Sequence, residues 1–150
     1  GDANARASFV GLSATHSEGE LVRAVLEGVG FGLGDSVELL RSAGWDGTSL
    51  RILGGGARSP LWKEIIASIT GLSLETVNID EGPALGAAIL AGVGVGAYAS
   101  VLEASDSIIK VEHTVEPNQA WQGVYQELHE VYKDLYPALK HAFDSLAKFS

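Results

Sequence analysis

The residues best placed to do chemistry are Gly54, Gly55, Gly56, Ala57 and Ser59, inside the stretch LRILGGGARSPLW. Leu50-Arg51-Ile52-Leu53 has the length and aliphatic content of a short buried strand. Three glycines follow at once. Each costs backbone entropy on folding, so this position demands main chain free of Cβ atoms. Ser59 then stands as a helix cap, with Pro60 at the first helical position, where a missing N–H is no loss. Strand, glycine turn and helix start together make a seat for a nucleotide. Glycines let a flat base or a phosphate approach the backbone, and the helix start offers free N–H groups and partial positive charge. A tight β–α turn that binds nothing has the same local sequence, and this stretch alone leaves both readings open.

Other residues carry less. Asp80 and Glu81 precede Gly82-Pro83 at a second helix start. There they either complement the helix dipole or touch a bound nucleotide or its metal. His16 has no second His, Cys or Asp at ligand spacing nearby and reads as a loop histidine. Arg23 and Glu27 stand at i, i+4, the spacing of an ion pair on a solvated helix face.

Several elements must position these groups. A short strand is predicted over residues 8–12. Ser17 and Glu20 match a capping box and open a long helix that runs to about residue 43. Val22, Val25, Leu26, Val29, Leu33, Val37 and Leu40 recur at helical spacing and predict a continuous buried stripe. Gly28, Gly30, Gly32 and Gly34 interrupt it, each at about 1 kcal/mol against alanine, which predicts close approach of a neighbouring element. A helix over residues 60–70, stopped by Gly71, and a strand over 72–79 complete a parallel β-α-β unit. Residues 84–92 form a small-residue helix suited to packing tightly on a sheet. Ser100 caps a short helix, residues 108–115 form an edge strand, and Asn118 caps a last helix. Trp121, Tyr125, Leu128, Val131, Tyr132 and Leu135 line its packing face, and Pro137 is expected to end or kink it near Tyr136.

Composition bounds the answer. At 150 residues the chain fits one domain, and 46% apolar content supports a folded core. Ten basic against 19 acidic residues give a net charge of −9, which argues against nucleic acid or an anionic membrane as partner. ATP stays open, because backbone amides and a divalent metal can hold its phosphates. There is no cysteine, hence no disulfide and no thiolate chemistry. No apolar run reaches the roughly 18 residues of a membrane span. The lack of methionine, even at position 1, leads to the expectation that the chain begins inside a longer protein.

Three segments in order resemble the C-terminal domain of the FGGY carbohydrate kinases. Phe9-Val10-Gly11-Leu12-Ser13, followed by Leu21-Val22-Arg23-Ala24-Val25-Leu26-Glu27-Gly28, is similar to the family's GxFxGL and RAxLEG segment. Gly54-Gly55-Gly56-Ala57-Arg58-Ser59 with Trp62 resembles the adenosine motif. Glu81-Gly82-Pro83-Ala84-Leu85-Gly86-Ala87-Ala88 resembles the ALGAA helix, and Leu135-Tyr136-Pro137 matches the family ending. The GGGARS segment and this tail are most similar to the xylulokinase group. Family members often have Arg-Gln where this chain has Lys63-Glu64, Ala-Asp-Ile where it has Ala67-Ser68-Ile69, and glycine at Ala7. No polar contact from the later turns of the adenosine helix is therefore carried over.

The resemblance implies an α/β fold of the actin and sugar-kinase, ribonuclease H-like type, helix-rich with a small sheet. It implies ATP and Mg2+ as cofactors, with adenine and ribose resting on Gly54, Gly55, Gly56, Ala57 and Ser59. The implied reaction is transfer of the γ-phosphoryl of ATP to a sugar hydroxyl, D-xylulose to xylulose 5-phosphate in that group, in the cytoplasm. The family's sugar-binding residues and catalytic base belong to an N-terminal domain, so this chain is expected to be inactive alone and to carry no catalytic residue or metal ligand. A nucleotide-binding switch on the same fold and a non-catalytic association module, including a homodimer, are the alternatives.

Overall fold

The computed structural model describes residues 1–149. In chain order the elements are α1 (Glu18–Ser42), β1 (Ser49–Ile52), α2 (Pro60–Thr70), β2 (Ser73–Val77), α3 (Gly82–Gly94), α4 (Val101–Ile108), β3 (Val111–Val115) and α5 (Gln119–Leu146). Single turns of 3-10 helix occupy Gly55–Arg58 and Ala147–Phe149.

The β-α-β unit forms as the sequence predicts. β1 and β2 pair in parallel, with Leu50 opposite Leu74, and α2 connects them. β3 joins the other side of β2 antiparallel, giving the order β1-β2-β3. Alternation then sorts the faces. Leu74 and Thr76 are buried, and Ile66 and Ala67 of α2 pack on Leu74 with Leu50, Ile52, Trp62 and Val115 around them. Gly71 stops α2 in the left-handed conformation at φ 67°, where an L side chain is strained. No helix among the described residues is long and apolar enough to cross a membrane.

α1 and α5 pack on the far side of α2. The glycines of α1 mark the contact. A Cβ on Gly30 would sit 2.6 Å from Ile69 Cδ1 of α2, and one on Gly34 would sit 3.0 Å from His129 Cε1 of α5. Phe31 stacks on His129 and meets the edge of Tyr125. Arg23 donates to Glu27 Oε1 and to the Tyr125 hydroxyl, both at 2.8 Å, and lies 4.4 Å from the centre of the Trp121 ring. This pair is thus a tether between helices rather than a solvated surface pair. Burial first, and the bond to Glu27 second, push the Tyr125 hydroxyl up to about 12.

Four expectations need correction. Residues 8–12 form no strand. On α1 the buried residues are Gly30, Phe31, Gly34 and Val37, while Val22, Val25, Val29, Leu33 and Leu40 are exposed. The tight neighbours sit on the glycine face, a third of a turn away from the aliphatic row. In α3 only Ile89 is buried, and Ala84, Gly86, Ala87, Ala88 and Ala91 face outward, because the helix lies against α4. α5 runs through Pro137 without ending, and Leu128 and Val131 on its expected packing face are exposed. Pro137 is itself exposed, and the helix continues with one amide donor fewer.

Candidate functional site

The turn between β1 and α2 is built by three glycines with three different reasons. Gly54 takes φ 75°, a backbone conformation that side chains rarely adopt. A Cβ on Gly56 would lie 3.0 Å from the Trp62 indole nitrogen. Gly55 has neither constraint: its φ is ordinary and a Cβ there would meet nothing within 4 Å. Packing and backbone conformation therefore give no cause for a glycine at 55.

Local hydrogen bonds fix the turn. The Ala57 amide donates to the Gly54 carbonyl at 3.0 Å and the Ser59 amide to the Gly56 carbonyl at 3.3 Å. Ser59 Oγ accepts from the Trp62 amide at 3.2 Å, so the expected cap is made. Among the described residues nothing accepts from the amides of Gly55, Gly56 or Leu61. Three donors at the turn and helix start are therefore left without a protein acceptor, the arrangement that suits the acceptor atoms of a purine, a ribose or a phosphate.

The surroundings are half-open. Gly55 is exposed, and Gly54, Gly56, Ala57 and Ser59 are partly buried. Next to Leu53 a cavity of about 370 Å3 lies between the outer face of the sheet, with Val77, and the helices, with Leu85, Ile89, Val101 and Ile109. Its lining is almost wholly apolar, the character of a surface that receives a flat ring. Sequence reading did not find this wall. Its signal was the i, i+4 pair Leu85 and Ile89 on an otherwise small-residue helix.

The other candidates settle as follows. Asp80 pairs with Arg58 at 3.6 Å, both strongly exposed, linking the glycine turn to the start of α3. Glu81 has no cap bond. His16 Nδ1 accepts from the Ser13 amide at 3.0 Å, a local loop contact. No group of three or more His, Cys, Asp or Glu among the described residues is arranged to hold a metal ion.

Residues 1–95 match the family described as the FGGY family of carbohydrate kinases, C-terminal domain. Xylulose kinase from Staphylococcus epidermidis is 36% identical over 140 residues, 93% of this chain and 28% of that protein. The crystal structure of a ligand-bound xylulose kinase from Lactobacillus acidophilus superposes with a TM-score of 0.87 at 30% identity, over 99% of this chain and 30% of that one. A gluconate kinase from the same organism gives 0.85 at 30% identity, with the same coverage. The chain thus spans between a quarter and a third of the length of the relatives it matches.

Proposed function

The chain belongs to the FGGY family of carbohydrate kinases, and from that we propose that it is the adenosine-holding part of a two-domain sugar kinase. Its helix-rich fold with a small mixed sheet is of the actin and sugar-kinase, ribonuclease H-like type. In this reading Gly54, Gly55, Gly56, Ala57 and Ser59 seat adenine and ribose against the main chain. The observation that carries it is the turn at Gly55, where open space replaces a side chain and the amides of Gly55 and Gly56 have no protein acceptor.

Phosphoryl transfer depends on positioning and on charge stabilisation around the phosphates. This chain supplies the first for the nucleoside end. The free amides orient the bound nucleoside, and the apolar wall at Leu53 and Leu85 keeps water from one side of it. Mg2+ bound with the triphosphate would neutralise charge on the phosphates, and no residue of this chain is assigned to hold it. The sugar and the group that accepts its hydroxyl proton belong to the N-terminal domain of the longer enzyme. The fold does not choose the sugar, since a xylulose kinase and a gluconate kinase superpose almost equally well. D-Xylulose is proposed on sequence likeness. The cytoplasm is the proposed location.

The row Val22, Val25, Val29, Leu33 and Leu40 on α1 supports the same reading. A single small domain rarely leaves such a row uncovered, and the unpaired edge of β1 adjoins no other strand among the described residues. Both are expected to be covered by the remainder of the kinase. Self-association of this chain through that row is the second reading.

Titration of MgATP into the 150-residue chain, followed by NMR, tests the proposal. Weak saturable binding with shifts around Gly54–Ala57 is expected, lost in Gly55→Leu, and no xylulose is phosphorylated. Equal binding by wild type and Gly55→Leu, or turnover by this chain alone, overturns it.

A further inference from the structure

β1 and β2 run parallel, so the loops that leave them, residues 53–59 and 78–81, lie side by side at the carboxyl ends of the two strands. In open α/β sheets this is the edge that holds ligands. The two loops approach closely. A Cβ on Gly82, the first residue of α3, would lie 3.3 Å from Leu53 Cδ1. Leu53, Ile79 and Gly82 all line the apolar cavity, so its rim runs along both loops.

One ion pair joins the loops across that rim. Arg58 Nη2 of the first loop lies 3.6 Å from Asp80 Oδ2 of the second, with side chains 77% and 75% exposed. That separation is too long for a hydrogen bond. The Arg58 guanidinium makes no hydrogen bond with any described residue. A pair so exposed adds little to stability, since water and salt screen it. Arg58 is therefore held loosely, with its N–H fork unused, and can leave Asp80 for a better acceptor.

Charge decides what that acceptor is. The chain as a whole carries −9. Within the two loops Arg58 is the cation, and Asp80 and Glu81 are the anions. Glu81 makes no cap bond that would occupy its carboxylate. A phosphate arriving beside the free amides of Gly55 and Gly56 is repelled by both acids and attracted by Arg58 alone among the charged groups of these loops. Two phosphate oxygens also match the guanidinium fork, a bidentate contact that Asp80 does not make here. An uncharged nucleoside offers Arg58 no such exchange.

We propose that Arg58 is a phosphate-binding residue of the nucleotide site, and that Asp80 competes with the nucleotide for it. Arg58 leaves Asp80 when a nucleotide binds and takes the phosphate nearest the ribose. This rests on the nucleotide reading of the glycine turn. The 150-residue chain is titrated with adenosine and, separately, with ADP, and chemical shifts are followed by NMR. The wild type is expected to bind both, ADP more tightly. Arg58→Ala is expected to weaken ADP about fivefold or more and to leave adenosine unchanged. Arg58→Lys is expected to keep part of the preference for ADP, because it keeps the charge and loses the fork. Asp80→Asn is expected to tighten ADP, and to do so more with Arg58 present than in Arg58→Ala. Both side chains are strongly exposed, so each variant is expected to keep the fold by circular dichroism. Equal losses of adenosine and ADP in Arg58→Ala would make Arg58 a structural part of the turn. An unchanged ratio of ADP to adenosine affinity would remove it from the site. Weaker ADP binding in Asp80→Asn would exclude the competition. Each of these overturns the inference while adenosine binding by the wild type leaves the nucleotide reading standing. No binding of either ligand by the wild type would overturn both.

Discussion

Two glycine clusters in this chain share a composition and differ in cause. In α1, Gly30 and Gly34 are glycines because protein atoms stand where their side chains would be, at 2.6 Å and 3.0 Å. In the turn after β1, Gly55 is a glycine although nothing stands there. The first kind reports on packing and belongs to stability. The second has no packing cause among the described residues, and the proposed function assigns it to a bound nucleoside. A glycine-rich stretch is therefore informative only after the space around each glycine is known.

The largest expected effect lies at Gly34. The His129 ring is held by Asp35 on one side and by Phe31 on another, so it cannot yield to a new side chain. Gly34→Leu is expected to cost about 1–3 kcal/mol through overpacking. Gly55→Leu, matched in size, is expected to change stability by less than about 0.5 kcal/mol. Urea midpoints of the two variants, at equal slope, check the contrast. Equal losses would collapse the distinction between the clusters.

A smaller effect sharpens the turn itself. Ser59 Oγ holds the Trp62 amide, and the Trp62 indole in turn packs on Gly56. Ser59→Ala is expected to lose about 1 kcal/mol, the usual value of an N-cap. It is also expected to loosen the amides of Gly55 and Gly56, seen as faster hydrogen exchange there than in β2. Unchanged exchange would mean that the triplet holds its shape without the cap.

How much of this was legible follows the same division. Turn chemistry is local, so the caps at Ser59, Ser100 and Asn118, the stop at Gly71 and the β-α-β unit could all be read from neighbouring residues. Which face of a helix is covered is not local. The row Val22, Val25, Val29 on α1 has the period of a buried stripe and is exposed, because no described residue packs over it. His129 was overlooked for the opposite reason. It sits four residues after Tyr125 and three before Tyr132, on the aromatic stripe itself, yet its polarity hid its place in the core. Its partner Asp35 is 94 residues away, a pairing that no spacing rule reveals.

The smallest expected effects lie at two glycines inside helices, Gly28 of α1 and Gly86 of α3. A Cβ at either would meet nothing within 4 Å. Glycine in a helix interior is about 0.5–1 kcal/mol worse than alanine when nothing else changes. Gly28→Ala and Gly86→Ala are therefore each expected to stabilise this chain by up to about that amount. They lie on different helices with no shared partner, so a double variant is expected to gain the sum. Thermal unfolding of the three variants checks this. A loss at either position would show that the space is filled in solution by a second copy, and that site would move from the empty class to the occupied one. Gain at both, joined with lower activity when the same substitutions are made in a longer enzyme carrying this domain, would place Gly28 and Gly86 beside Gly55. All three would then be positions kept clear for contacts that this chain alone does not make.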